Sequence, residues 1–246
     1  MKSIHSEIPG LDLDAIDPSA PLRQLAASHP LWRHPFVARC RAGELTLEQV
    51  RVLARQMYKF CHSFPRYLAT ALALCTDEDT RMVIAENLWD ELGEGDPLRA
   101  HAALLRRFTR ALDITDAQLE AAPTLPETTE LIDTYLGLAA QHGLPGILGA
   151  LCFASEGIVA ALYTTIQNGL LRSTALEPEA LEFFTVHIHV DVGHADQLEA
   201  VLLPLLQSPH ARAQARQAIA LALDARCRFF DGVLRAAAQT RAANAA

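Results

Sequence analysis

The sequence predicts an all-α protein, a compact bundle of seven to nine helices, on three observations. Half of its 246 residues are hydrophobic and only 20% are charged. Ala and Leu dominate while β-branched and aromatic residues are sparse, a balance that favours helices over sheets. The chain also breaks at cap and stop residues into helix-length segments, and no segment reads as a convincing strand.

Taken in order, an irregular leader over 1–19 is followed by a short helix from about 20 to 28. The prolines of "HPLWRHPF" stop it. "GELTLEQVRVLARQMYKFCHSFPRYLATALALC" opens with Thr46 as N-cap and runs long, with Pro65 as a kink. "TDEDTRMVIAENLWDELG" (76–93) takes Thr76 or Asp77 as its cap and Gly93 as its stop. The next helix is expected at Pro97, the favoured first-turn position, and a short one after Thr115. Beyond Pro126 a helix ends at Gly143, and "LPGILGALCFASEGIVAALYTTIQNGLL" is apolar nearly all round, as a central buried helix should be. A helix from about 177 to 206 precedes the last, which has Ser208 as cap and Pro209 in its first turn. With no repeat and no low-complexity linker, residues 20–246 are expected to form a single helical domain.

Charge and composition exclude several functions. A formal net charge of −8 argues against nucleic acid as a partner, because phosphate binding needs a basic face. "LLRRFTR" (104–110), the densest basic cluster, reads as a solvated helix face. The acidic, proline-broken N-terminus is no signal peptide, and no apolar run is read as long enough to span a membrane. Five scattered cysteines (40, 61, 75, 152, 227) without a CxxC pair suit a reducing compartment. The expectation is a soluble cytoplasmic protein.

Six polar residues stand where the pattern predicts burial. In "HIHVDVGHAD" (187–196), His187, Asp191 and His194 lie at i, i+4 and i+7 and share one helix face, while His189 falls elsewhere. Glu156 sits midway along the apolar segment, where a bare carboxylate would cost several kcal/mol. In "ENLWDELGEGDPLRAH", Glu91 ends one helix and His101 opens the next. Each has an ordinary explanation when taken alone, such as a hydrogen-bonded core histidine or a buried salt bridge. Together those explanations need three separate coincidences. Three carboxylates and three imidazoles on four helices match the ligands of a dinuclear iron or manganese site. Zinc would need fewer ligands and calcium oxygen alone, so the mixture favours iron.

"NLWDELGEGDPLRAH", "SEGIVAALY" and "HIHVDVGH", in that order, resemble the haem-oxygenase-like dimetal oxidases and oxygenases. These lie within the superfamily of the thiaminase-II-like proteins and the pyrroloquinoline-quinone synthase. The resemblance spans about residues 45 to 205, and H-x-x-x-D-x-x-H is its most specific element. It implies a haem-oxygenase-like bundle whose metal ligands fall on Glu91, His101, Glu156, His187, Asp191 and His194. Glu94 competes with Glu91, which is preferred for its "DELG" context and its place on the helix. An extra carboxylate ligand, seen in some relatives, has no source in residues 55–70. Relatives that build p-aminobenzoate use an internal lysine, whereas this chain has only Lys2 and Lys59.

The activity so implied is that of an iron-dependent oxidoreductase with two irons per chain. Dioxygen would be its co-substrate, an external reductant a further requirement in some reactions, and a small amino-acid-like or fatty-acid-like molecule its substrate. Tyr58, Phe60, Phe64, Tyr67 and Tyr163 are the candidate pocket walls, since they flank the metal helices. A homodimer is left open. The competing readings are a metal-free thiaminase-II-like hydrolase using Cys152, a ligand-binding protein of the same fold, and a non-catalytic interaction protein.

Overall fold

The computed structural model describes residues 17–245, apart from the side chains of 190–192, 244 and 245. Among the described residues there are eleven α-helical segments and no strand. They are α1 (Ala20–Ser28), α2 (Pro35–Ala42), α3 (Leu47–His62), α4 (Phe64–Leu74), α5 (Glu78–Glu91), α6 (His101–Ala111), α7 (Asp116–Ala121), α8 (Pro126–Leu151), α9 (Gly157–Ser173), α10 (Glu182–Leu202) and α11 (Pro209–Ala245). Ser63 alone separates α3 from α4, and α8 continues into α9 through a π-helical turn, Cys152–Glu156. The segments therefore make nine helical rods.

Several boundaries differ from the sequence expectation, each for a local reason. The prolines at 30 and 35 start helices after stopping α1. His29 and His34 act as N-caps whose Nδ1 atoms accept the amides of Leu31 and Phe36, with Pro in the first turn. Pro65 likewise opens α4, so the chain breaks at Ser63 where a kink was expected. The helix expected from Pro97 begins at His101, because Asp96 Oδ1 accepts the amide of Leu98 and holds 96–100 as turns. At Gly143 the expectation holds: its non-helical backbone (φ 62°, ψ −168°) ends one helix, and a second resumes over Pro145, so Pro126–Leu151 is two helices joined at a kink. Of the expected leader, residues 1–16 lie outside the described part and Asp17–Ser19 form the first turn leading into α1. Thr46 caps α3 as expected, Asp77 rather than Thr76 caps α5, and Thr115, after which a short helix was expected, caps α7; Thr46 and Thr115 form full capping boxes.

Buried side chains from Leu22 to Ala237 form one cluster, in which α11 lies along α8. Phe36 stacks on Phe230 at 4.7 Å between ring centroids, which ties α2 to α11. The stretch Pro126–Ser173, taken as one helix across the Gly143 kink, is long and apolar enough to cross a membrane by length and composition, contrary to the sequence reading. Within its apolar window 83% of residues are buried inside the protein, as in any central core helix.

Two backbone features place the polar residues. Between α5 and α6, Gly93 (φ 86°), Glu94 (φ 54°) and Gly95 (φ 89°) turn through the left-handed region. A Cβ at Gly93 would stand 2.3 Å from the Asp96 carbonyl oxygen and 2.4 Å from the Ala100 nitrogen, so this reversal needs glycine. It folds His101 back against Glu91. The π turn does the same service for Glu156, and a Cβ on the following Gly157 would stand 2.6 Å from the Cys152 carbonyl. Single π turns recur at functional sites because the extra residue re-aims one side chain.

Candidate metal centre

Glu91, His101 and His187 are all buried and come from α5, α6 and α10. One ligand atom from each lies within 4.8 Å of the other two. Glu156 is buried beside them, with its Oε2 4.0 Å from His194 Nδ1. Five of the six expected residues thus meet, and the Asp191 side chain lies outside the described residues. His189 is exposed, as a residue off the ligand face should be.

His101 Nδ1 stands 3.0 Å from Glu91 Oε1, yet the pair lacks the alignment of a hydrogen bond and His101 Nδ1 has no hydrogen-bond partner. The two agree if both atoms turn toward a shared third point. Burial opposes a charge on His101, but Glu91, Asp90 and Glu156 outweigh it and raise its pKa. His187 is the reverse case: burial first, then repulsion from His101 and His194, holds it well below the ordinary histidine value. Its Nδ1 is 2.6 Å from the Phe183 carbonyl oxygen, which can only accept, so Nδ1 carries the proton and Nε2 keeps its lone pair. Burial also lowers His194 against the pull of Asp90 and Glu91. A neutral imidazole with one nitrogen fixed by a carbonyl is the state a metal ligand requires.

Among the described residues, three buried atoms here have no hydrogen-bond partner: Asp90 Oδ2, His101 Nδ1 and His194 Nδ1. Buried polar atoms are rarely left so, and several converging lone pairs repel one another unless a cation lies between them. The residues fit a metal ion. Asp90, which sequence reasoning missed, lies behind them, its Oδ2 3.6 Å from His101 Nε2 and 3.7 Å from His194 Nε2. Its only sequence signal was adjacency to Glu91 in "WDELG". Glu94 is half-exposed and pairs with Arg99 at 2.8 Å.

A narrow cavity of about 20 Å³ borders Glu91, Glu156 and His187. Of the expected walls, Phe60, Phe64 and Tyr163 line it. Tyr58 and Tyr67 do not. The Tyr58 hydroxyl is 2.9 Å from Glu120 on α7, and Tyr67 stacks on Tyr135 at 5.0 Å inside the core. A second cavity, of about 360 Å³, reaches Glu156 from the side of α1 and α10 and includes Cys152. Burial pushes the Cys152 thiol far up, and its Sγ sits 3.4 Å from the Ala195 carbonyl oxygen, so no thiolate is ready there. Lys59 donates to the Glu120 carbonyl at 3.2 Å, pointing toward α7 and away from the cavity.

Fold and site together define a class: an all-α protein with carboxylates and imidazoles gathered in a buried, metal-fitting centre. Among solved structures, the chain is similar to a domain with a haem oxygenase-like fold from Shewanella denitrificans. The TM-score is 0.74 at 16% identity, over 95% of this chain and 96% of the other. It is also similar to a TenA homologue from Pseudomonas syringae (TM-score 0.69, 18% identity, 91% and 92% covered). In sequence, a 4-aminobenzoate synthase of Nitrosomonas europaea is 30% identical over 216 residues, covering 84% of this chain and 86% of that protein. A 4-chloro-allylglycine synthase of Streptantibioticus cattleyicolor is also 30% identical, over 84% of this chain and 79% of that protein. The model of the iron-containing redox enzymes matches residues 51–227. The chain belongs to the family of iron-containing redox enzymes and has the haem-oxygenase-like fold.

Proposed function

We propose that the protein holds two iron ions with Glu91, His101, Glu156, His187, Asp191 and His194, and oxidises a small organic molecule with dioxygen. The observation that carries this reading is the convergence of Glu91, His101 and His187 within 4.8 Å, with Glu156 and His194 alongside. Carboxylates balance the charge of two cations and imidazoles complete their coordination. Iron, when bound, supplies the redox chemistry that no side chain in the cluster can perform. The chain's own part is positional. The Phe183 carbonyl fixes the His187 tautomer, and the Asp90 carboxylate lies 3.6 and 3.7 Å from the Nε2 atoms of His101 and His194, where its charge favours a proton on Nε2 and leaves Nδ1 for metal. Phe60, Phe64 and Tyr163 keep the adjoining cavity narrow.

The names of two relatives support a substrate of amino-acid type, since 4-aminobenzoate and 4-chloro-allylglycine both carry an amino and a carboxyl group. Lys59, turned toward α7, offers no amine to the cavity, which speaks against lysine-dependent p-aminobenzoate synthesis. Anaerobic Fe(II) loading, metal analysis, and stopped-flow absorbance after mixing with O2 and candidate amino and fatty acids test the proposal. Two irons per chain and substrate-accelerated absorbance changes are expected. Iron near zero under every loading condition would replace this reading with the metal-free hydrolase or ligand-binding one.

A further inference from the structure

We infer that Arg226 of α11 is the positioning residue that anchors the carboxylate which an amino-acid-type or fatty-acid-type substrate carries. The inference rests on the iron reading above for the position of the chemistry, but its own observations are independent of the ligand cluster.

Arg226 is only 4% exposed and borders the same narrow cavity as Glu91, Glu156 and His187. A guanidinium is charged at any physiological pH, and so deep a charge is normally matched by a carboxylate. Among the described residues none lies within 4 Å of it. Two residues along the same helix, the half-exposed Arg228 does have a carboxylate beside it, Glu130 at 2.8 Å. The Arg226 Nε has no hydrogen-bond partner. Its polar surroundings are the phenols of Tyr135 and Tyr163 and the thiol of Cys61, with a hydrogen bond to Tyr135. Its guanidinium lies over the Phe60 ring, 4.9 Å from the centroid. That ring and the phenols hold the plane in place without neutralising it. Glu91 and Glu156, the anionic groups of the same cavity, face histidines at 3.0 and 4.0 Å.

A preformed guanidinium whose Nε has no partner among the described residues, beside a site that fits redox metal, is suited to an anionic head of planar, two-oxygen geometry. A carboxylate so held leaves the rest of the molecule against Phe60, Phe64 and Val159, toward the metal-binding groups. The cavity has room for about one water, so an acid enters only as side chains at its rim turn aside. Phe64, the first residue of α4 beside the Ser63 break, is the wall best placed to do so.

The test is isothermal titration of the iron-loaded protein with two matched pairs, benzoate against benzamide and hexanoate against hexanamide. Wild type, Arg226→Gln and Arg226→Lys are compared, with iron content measured on each sample. Wild type should bind both acids at least tenfold tighter than their amides. Arg226→Gln should lose that preference while keeping its iron, and Arg226→Lys should keep part of it. Equal binding of acids and amides by wild type, or no binding of either, overturns the inference. So does a preference that survives in Arg226→Gln, because the metal would then be the acid's seat. If Arg226→Gln fails to fold, the Lys variant decides: an undiminished preference there counts against a bidentate anchor and a weakened one supports it. Failure of the iron reading shows separately, as acid preference in wild type that binds no iron.

Discussion

Two pairs of buried histidines make an instructive contrast. His29 and His34, on the short connections around α2, have both ring nitrogens engaged. Each Nδ1 caps a helix, and each Nε2 meets a carboxylate of α11, Asp224 at 3.2 Å or Asp231 at 3.1 Å. His101 and His187, equally buried, each leave one nitrogen turned into a shared centre. Burial and residue type are the same in both pairs. What differs is whether the hydrogen-bonding capacity is used up inside the protein. A histidine satisfied on both sides clamps elements together, and one with a buried unused lone pair is a ligand in waiting.

Breaking the open pair should give the largest effect. His187→Ala and Glu156→Ala should each empty at least one metal position and lower oxygen-dependent turnover by about a hundredfold or more, with helical content preserved because Ala suits a buried helix. Metal analysis and stopped-flow oxidation read this directly, and full iron occupancy in either variant would remove that residue from the site. Glu91→Gln should lose the dimetal signal while Glu94→Gln, half-exposed and paired with Arg99, keeps most of it. The opposite outcome would put the register of the α5–α6 reversal in error. Asp90→Asn should be milder, weakening iron affinity by about 10- to 100-fold through its effect on the two imidazoles, as measured by competition with a chelator.

The closed pair should respond in stability alone. His34→Ala removes the cap of α2 and its tie to Asp231, and a loss of about 1–2 kcal/mol is expected from denaturant unfolding, with iron content unchanged. Iron loss there would erase the distinction between the pairs. The smallest effect belongs to His189→Ala. His189 is exposed and about 200° around the helix from His187, so iron content and oxygen reactivity should stay near wild type. Damage comparable to His187→Ala would mean that the single-face description of α10 is wrong.

The sequence by itself determined the helical class, the cap at Thr46, the helix starts near Asp77 and Thr115, and which side of α10 carries His187 and His194. These follow from helical period and from cap chemistry, both of which act over a few residues. Glu156 also stood out unaided, because a carboxylate inside an apolar run needs a partner whatever the fold. Tertiary structure alone decided the rest. Asp90 and Glu91 are neighbours in sequence, but only the packing of α5 against α10 sets Asp90 behind the imidazoles and Glu91 among them. Tyr58 and Phe60 are equally plausible pocket walls from their spacing, and Phe60 alone faces the cavity. Arg226 looked like one more basic residue on the last helix. That no described carboxylate comes within 4 Å of it is a property of distance across the fold, and local sequence carries no record of that distance.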